Sequence, residues 1–242
     1  MSGGAVFQAA LRLVNRRELS PEANHDVLAV LEAGRTKGPL MLLDQAARDA
    51  GLEAGPALAR AGALYCGFCA GNLCDDLIDN ECTYLAEPVR MGPSLQYQLQ
   101  FIMVTGLIGA GLPAGTVATV CSELARAASY SHVEIRTRAW TAPVYKELAE
   151  RMAGGQWMAQ LSCLWWGTPL EGRAVAAGRA AGIVGHVAED IRSADPRFTS
   201  MTPAERADVA AWARGAAAEL RACGVPSMDR IAASTEAQLA AG

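Results

Sequence analysis

The sequence predicts an all-α protein built as a single large helical bundle. Apolar residues recur at helical spacing along most of the chain, and no segment shows sustained polar–apolar alternation flanked by hairpin turns. Hydrophobic residues make up 51% of the 242 residues and aromatic residues only 6%, and alanine is abundant, which favours helix over sheet. Long helical stretches with short Pro and Gly breaks are typical of one bundle. We therefore expect residues 1–242 to form one domain.

Three helices are expected before a long central one. Residues 3–16 carry an apolar stripe that begins at Val6 and recurs every three or four residues. A Ser-Pro-Glu cap at residues 20–22 opens a second helix, which Gly34 ends. A third begins at Pro39. Glycines at the following breaks then separate it from a helix over residues 57–79.

The rest of the chain is expected to be helical after a loop at residues 80–93, where Glu87-Pro88 and Gly92-Pro93 indicate turns. The expected helices are 94–110, 114–139, 142–166, 170–192, 202–222 and 226–240. Gly154 and Gly155 predict a local break inside the third of these.

The bulk properties limit the classes of partner. A net charge of −4 argues against nucleic acid as a general partner. The longest apolar runs are too short to span a bilayer, so no transmembrane segment is expected. The first residues lack the basic start of a secretory signal, which makes the cytoplasm the expected location.

Seven cysteines are present, and Cys66 and Cys69 form a C-x-x-C motif. A zinc site needs thiolates that converge from loops, whereas this motif lies in the middle of a predicted helix. We interpret these cysteines as buried free thiols that act as small hydrophobic side chains.

The most informative stretch is the acidic end of the long helix. Asp75, Asp76 and Asp79 follow a segment too apolar for a solvent-facing helix. Asp75 and Asp79 lie four residues apart and share a helix face, with Asp76 about 100° around the axis. Burying uncompensated carboxylates is costly, and oxygen ligands favour hard cations such as Mg²⁺. The alternative is a helix end with ordinary solvated aspartates.

The D-D-L-I-D sequence of residues 75–79 resembles the first aspartate-rich motif of the trans-isoprenyl diphosphate synthases (polyprenyl synthetases) and related class I terpene synthases. The resemblance implies an isoprenoid-synthase-type α-bundle over the whole chain. It also implies that this motif and a second acidic cluster hold Mg²⁺ ions that bind an allylic diphosphate.

Residues 178–190 resemble the helix that carries the second cluster in that family. The G-R-A-A-G sequence of residues 178–182 matches, and Glu189 and Asp190 fall on the two leading aspartates. The third place is Ser193, which fits the N-D-x-x-S-x-x-x-E motif of terpene cyclases instead. The last glutamate of that motif is Arg197 here.

The resemblance implies Asp75, Asp79 and Glu189 as the main metal ligands, with Asp76 and Asp190 in support and Ser193 as an optional hydroxyl ligand. These five acidic residues are the expected catalytic set. The alternative at the second cluster is a solvated helix end in which Glu189 pairs with Arg192. His186 lies one turn before Asp190 and is interpreted either as a substrate or ligand contact or as a satisfied core histidine.

Basic residues bear on the second substrate. Elongating synthases carry G-G-K-R-x-R-P, and this chain has G-R-T-K-G-P at residues 34–39, so that both motif arginines are lost. Residues 132–138, H-V-E-I-R-T-R, locally resemble the moenomycin-type prenyltransferases, which join a prenyl group to a phosphate-bearing acceptor. The expected phosphate contacts are Arg35, Lys37, Arg136 and Arg192.

The preferred function is Mg²⁺-dependent ionisation of an allylic prenyl diphosphate, followed by prenyl transfer to a second isoprenoid or phosphate-bearing substrate. One alternative is class I terpene cyclisation. Another is a non-catalytic partner subunit of a prenyl diphosphate synthase. The resemblance also implies a homodimer.

Small residues precede the first acidic cluster, at positions where the resemblance implies that bulky side chains would form the floor of the substrate pocket. Below Asp75 the helix face passes through Gly71, Ala70 and Gly67, while Tyr65 and Phe68 are expected to point elsewhere. A cavity there would take a chain of C15 or longer. The alternative is that these residues only let a neighbouring helix pack closely.

Overall fold

The computed structural model describes residues 4–35, 38–51 and 55–241, and within these ranges every regular element is helical. The all-α prediction is confirmed. The chain divides into two compact units, Met1–Val117 and Ala118–Gly242, which are described one at a time.

The first unit is organised around α4 (Pro56–Ile78), which contacts α1 (Gly4–Asn15), α2 (Pro21–Gly34), α3 (Gly38–Asp49) and α5 (Pro88–Gly109). Most of the first four turns of α4 are buried, because small and apolar residues cover its whole circumference. The Tyr65 hydroxyl donates to the Leu31 carbonyl over 2.6 Å, which ties α4 to α2.

Helix α5 runs antiparallel to α4. Its last turns lie against Ala63, where a Cβ added at Gly106 would come within 2.9 Å of the alanine methyl. At the other end of α5, Gly92 packs against Leu77, and a Cβ added at Gly92 would lie only 2.5 Å from a leucine methyl. Glycines at both ends of α5 therefore allow the two helices to pack closely along their length.

The second unit is organised around α10 (Ala174–Ser193), the helix of the second acidic cluster. It contacts α8 (Ala142–Ala149), α9 (Gly155–Leu164), α12 (Pro203–Ala222) and α13 (Pro226–Ala241). The remaining elements are α6 (Ala114–Ser129), α7 (Ser131–Arg136), a π-helical turn Glu150–Gly154, a 3₁₀ turn Glu171–Arg173 and the single-turn α11 (Pro196–Thr199).

Several predicted boundaries are wrong. The expected loop 80–93 is shorter, since α5 begins at Pro88, a position where a proline loses no helical hydrogen bond. Pro93 lies inside α5 and deprives the Val89 carbonyl of its donor, which is tolerated because Val89 is 81% exposed to water. The predicted helix 114–139 is broken at Tyr130 and ends at Arg136, since Thr137 is extended.

The break expected at Gly154 and Gly155 takes the form of the π-helical turn between α8 and α9. Helix α11 was not predicted: Asp195 caps it by accepting from the Arg197 amide. All seven cysteines are free, and the buried-thiol interpretation is confirmed for Cys66, Cys69, Cys82 and Cys163, whereas Cys74 and Cys121 are only half-buried. Among the described helices, none is long and apolar enough to cross a membrane.

Two glycines of α10 have opposite surroundings and provide a test of its packing. A Cβ added at Gly182 would lie 2.2 Å from the Ala153 carbonyl oxygen, whereas at Gly185 it meets nothing within 4 Å. We expect Gly182→Ala to destabilise the protein by about 2 kcal/mol through overpacking. Gly185→Ala should stabilise it by about 0.5–1 kcal/mol through helix propensity. Urea unfolding measures both, and equal effects would contradict the close approach.

Candidate active site

The first acidic cluster lies where α4 ends. The Glu81 amide donates to the Asp76 carbonyl over 2.7 Å and the Asn80 amide to the Leu77 carbonyl over 3.4 Å, while Asn80 is left-handed with φ 59°. These bonds form a Schellman motif, which satisfies the last helical carbonyls. Asn80 follows the acidic motif directly because asparagine tolerates this conformation better than most residues.

Within this turn the three aspartates separate by burial. Asp76 is 8% exposed, and its Oδ2 accepts from Asn72 Nδ2 over 2.8 Å and from the Tyr84 hydroxyl over 2.9 Å. Asp75 and Asp79 are exposed. The turn therefore directs one carboxylate inward, to hold the following loop, and two outward.

The outward pair lies at an electrostatically unfavourable place. Carbonyl dipoles make a helix C-terminus negative, so carboxylates there are destabilised and cations are stabilised. Like charges four residues apart on a helix also repel. The last turn of α4 contains no basic residue. A cation from outside the helix would thus stabilise this end.

Helix α10 ends in the same motif. The Asp195 amide donates to the Asp190 carbonyl over 2.9 Å and the Ala194 amide to the Ile191 carbonyl over 3.3 Å, with Ala194 left-handed at φ 53°. Asp190 thus takes the place in α10 that Asp76 takes in α4. Glu189 corresponds in the same way to Asp75, and Ser193 to Asp79.

The two inward aspartates also have similar partners. Asp190 is 1% exposed, and its Oδ2 accepts from the Tyr145 hydroxyl over 2.8 Å, as Asp76 accepts from Tyr84. Asp190 differs in that its Oδ1 also accepts from Arg197 Nη2 over 3.0 Å. Burial raises the pKa of Asp190 to about 6, while Arg197 and Tyr145 oppose that rise.

The outward residues of α10 bond within their own helix. Glu189 accepts from the Arg192 guanidinium, and both side chains are more than half exposed. The Ser193 hydroxyl donates to the Glu189 carbonyl over 2.9 Å. The pairing of Glu189 with Arg192 is the one expected of a solvated helix end. Exposed pairs of this kind contribute little stability, so a ligand can displace them easily.

His186 lies inside the second unit. Its side chain is 9% exposed, and its ring centroid is 5.6 Å from that of Tyr145. His186 Nε2 is 3.6 Å from Asp190 Oδ2, beyond hydrogen-bonding distance, and has no hydrogen-bond partner in the described part of the chain. Burial lowers the pKa of His186 to about 3, so the ring is neutral at pH 7.

The expected phosphate contacts are placed differently from one another. Arg35 donates to Glu32 over 2.6 Å and lies 4.7 Å from the centre of the Phe7 ring, which orients it on the surface of the first unit. Arg136 is exposed at the end of α7, and Arg192 pairs with Glu189. Lys37 lies outside the described residues.

The small residues before the first cluster do not share one environment. Ala70 is 1% exposed, and a Cβ added at Gly67 would lie 2.1 Å from the Met103 sulfur of α5. At Gly67 the close approach of Met103 supports the alternative that the small residue allows α4 and α5 to pack closely. Gly71 is exposed, and a Cβ added there meets nothing within 4 Å. Tyr65 points toward α2, as expected.

Among the described residues, no group of three or more His, Cys, Asp or Glu side chains is arranged to hold a metal ion. Mg²⁺ is commonly bound by one or two carboxylates together with substrate phosphates and water. The two exposed carboxylates of Asp75 and Asp79 fit that mode of binding, whereas the buried Asp190 does not.

Sequence reasoning missed the partners of the inward acids. Tyr84 follows Asp76 by eight residues in a segment expected to be a loop, and Tyr145 precedes Asp190 by 45. No local spacing links residues so far apart. A burial argument supplies the available signal, since an acid at the end of a core helix needs a donor.

The hydroxyl of Tyr145 provides a test of the inward arrangement. We expect Tyr145→Phe to lower the free energy of unfolding by about 1.5–3 kcal/mol, since it removes a buried hydrogen bond to a charged group. Tyr97→Phe is the matched control, because Tyr97 is 65% exposed. Denaturant unfolding of both variants measures the difference, and an equal effect would show that the bond to Asp190 contributes nothing.

The sequence matches no protein-family model and no curated protein. Solved structures do match. An isoprenoid synthase family member from Thermotoga neapolitana aligns with a TM-score of 0.73 and 15% identity, over 96% of each chain. A geranyltransferase from Legionella pneumophila aligns with a TM-score of 0.72 and 16% identity, over 97% of this chain and 92% of its own.

A geranyltranstransferase from Thermotoga maritima gives a TM-score of 0.73 at 15% identity, over 96% of this chain and 93% of its own. Such matches extend over nearly the whole chain at an identity too low to carry residue roles across. They show that the protein has the all-α fold of the isoprenoid synthases, as the motif at residues 75–79 implied.

Proposed function

We propose that this protein is a Mg²⁺-dependent prenyltransferase that acts on an allylic prenyl diphosphate. The observation that carries the proposal is the outward pair Asp75 and Asp79, at a helix end without a basic residue in its last turn. Its fold is shared with proteins described as geranyltransferase and geranyltranstransferase. The shared fold supports prenyl transfer as the class of reaction. The two exposed carboxylates support binding of a complex of Mg²⁺ and diphosphate.

In this proposal Asp75 and Asp79 are the cation ligands of the first unit, and Glu189, with Ser193 beside it, is the carboxylate ligand of the second unit. Asp76 fixes the turn from within through Asn72 and Tyr84. When bound, Mg²⁺ neutralises the charge that develops on the departing diphosphate. The basic residues proposed to contact phosphate are Arg35, Lys37, Arg136 and Arg192.

The proposed reaction breaks the allylic C–O bond, and the electron pair leaves with the diphosphate. The second substrate then forms a bond to the allylic carbon and loses a proton. Both arginines that bind isopentenyl diphosphate in the resembling motif are replaced, by Thr36 and Gly38. We therefore propose that the acceptor is another isoprenoid or a phosphate-bearing molecule. We also propose that the reaction takes place in the cytoplasm.

One observation favours a second candidate function. Asp190 is buried and paired with Arg197, so the second acidic cluster is weaker than the first. A non-catalytic partner subunit would retain the fold and tolerate such a loss. Activity of the isolated chain decides against this candidate.

The test is incubation of the purified chain with C10, C15 and C20 allylic diphosphates and Mg²⁺, with products identified by mass. We expect diphosphate release that excess chelator abolishes. Asp75→Ala and Asp79→Ala should lose activity by at least about a hundredfold while unfolding like the wild type, because they remove metal ligands.

The same assay separates the alternatives. Addition of isopentenyl diphosphate should give little C5-extended product. Efficient extension would make the protein an ordinary chain-elongating synthase. A cyclic product formed without any acceptor would identify cyclisation instead. Full turnover in chelator would rule out the metal-dependent mechanism. A homodimer remains a prediction, and light scattering of the purified chain measures it directly.

Pocket depth is tested at Gly71, the small residue of this face with open space around it. We expect Gly71→Phe to shift substrate preference from C15 or longer toward C10, with metal dependence retained. Each buried methylene that the shorter chain lacks contributes about 0.8 kcal/mol. Gly109→Phe is the control, since Gly109 is also open but lies at the far end of α5. An unchanged length preference in Gly71→Phe would place the pocket floor elsewhere.

A further inference from the structure

Arg197 is the centre of a charge cluster in the second unit. Its guanidinium donates to Asp190 Oδ1 over 3.0 Å, to Asp195 Oδ1 over 2.9 Å and to Asp195 Oδ2 over 3.0 Å. It also donates to a carboxylate oxygen of Glu134. These bonds connect α7, the end of α10 and the capping residue of α11, so that three separate segments depend on one cation.

The ion pair between Asp190 and Arg197, at the centre of this cluster, is largely shielded from water. The side chains of Asp190 and Arg197 are 2% and 21% exposed. Burial alone would lower the pKa of Arg197, but hydrogen bonds and charges from Asp195, Asp190 and Glu134 raise it above its ordinary value. The guanidinium is therefore permanently charged. Removing one partner of a buried pair leaves an uncompensated charge, which is strongly unfavourable.

Both carboxylate oxygens of Asp190 have donors from the protein. Tyr145 donates to Oδ2 and Arg197 to Oδ1. A divalent cation would reach Asp190 by displacing the Tyr145 hydroxyl from a buried oxygen, or by displacing a largely buried guanidinium that two other carboxylates also bind. The neighbouring Glu189 differs, because its partner Arg192 is exposed and easily displaced. At the end of α10, Asp190 is therefore held by groups of the protein, whereas Glu189 is accessible to a ligand.

We infer that Arg197 is a built-in cation that takes the place of a metal ion at Asp190, and that Glu189 supplies the carboxylate of α10 that faces a ligand. Asp190 is accordingly a positioning residue: with Tyr145 and Arg197 it fixes the turn that holds Glu189 at the surface. The role of Glu189 toward a metal rests on the proposed function. The exchange of cations at Asp190 does not.

The first experiment exchanges the cations. Arg197→Gln leaves the carboxylates of Glu134, Asp190 and Asp195 without their guanidinium, so the folded state should gain affinity for divalent ions. We expect its melting temperature to fall in EDTA and to rise with millimolar Mg²⁺ or Mn²⁺ by more than that of the wild type. Arg197→Lys should keep the wild-type metal response. Arg221→Gln is the matched control, since it removes the same charge from an exposed pair with Glu236 in the same unit.

The second experiment measures Mn²⁺ binding by calorimetry in the presence of inorganic pyrophosphate. Asp190→Asn should retain the wild-type affinity within about twofold, although it melts at a lower temperature. Asp75→Asn should weaken binding by at least about tenfold, as expected for loss of a ligand.

Two results would overturn the inference: a loss of Mn²⁺ affinity in Asp190→Asn as large as that in Asp75→Asn, or a folded Arg197→Gln variant with only the wild-type metal response. If one variant does not fold, the other decides. If Asp75→Asn binds Mn²⁺ as well as the wild type, the proposed function fails. The Arg197 experiment still judges the built-in cation in that case.

Discussion

The two central helices depend on how a buried helix comes to an end. Helices α4 and α10 are the most enclosed elements of their units, and the last carbonyls of each must find donors before the chain reaches water. Both solve this with a Schellman turn, closed on the carbonyls of Asp76 and Asp190. The turn also fixes side-chain directions, with one acid facing inward and its neighbours outward. The geometry that satisfies the backbone is therefore the geometry that displays the carboxylates.

The inward carboxylates of Asp76 and Asp190 stabilise the two turns, but removing them from water costs free energy. A carboxylate that leaves water needs donors, and each of the two accepts a tyrosine hydroxyl. Asp76 is completed by Asn72, whereas Asp190 is completed by a guanidinium. Replacing a buried ion pair as a whole can be neutral, but breaking one is not. Arg197 therefore commits Asp190 to the fold more firmly than Asn72 commits Asp76.

Sequence reasoning found what is locally encoded and missed what depends on distant residues. The apolar run before Asp75 and the Ser-Pro-Glu cap of α2 predicted helices that the structure contains. Pro88 was interpreted as part of a loop, because the sequence alone does not tell a proline that starts a helix from one that ends it. The direction of Asp190 was beyond local reasoning for a different reason. It depends on Tyr145, 45 residues earlier, and on a tertiary contact that no periodicity contains.

The difference between the helix ends bears on where the proposed cation would bind. A helix C-terminus disfavours carboxylates by about 0.3–1 kcal/mol each at the surface. Helix α10 offsets this with Arg192 in its last turn and Arg197 just beyond it. The last turn of α4 has no basic residue, and Asp75 and Asp79 repel each other across one turn. The two ends thus share a backbone and an acidic pattern but differ in electrostatics. In the proposed function the divalent cation binds at Asp75 and Asp79, where the last turn of the helix itself contributes no basic residue.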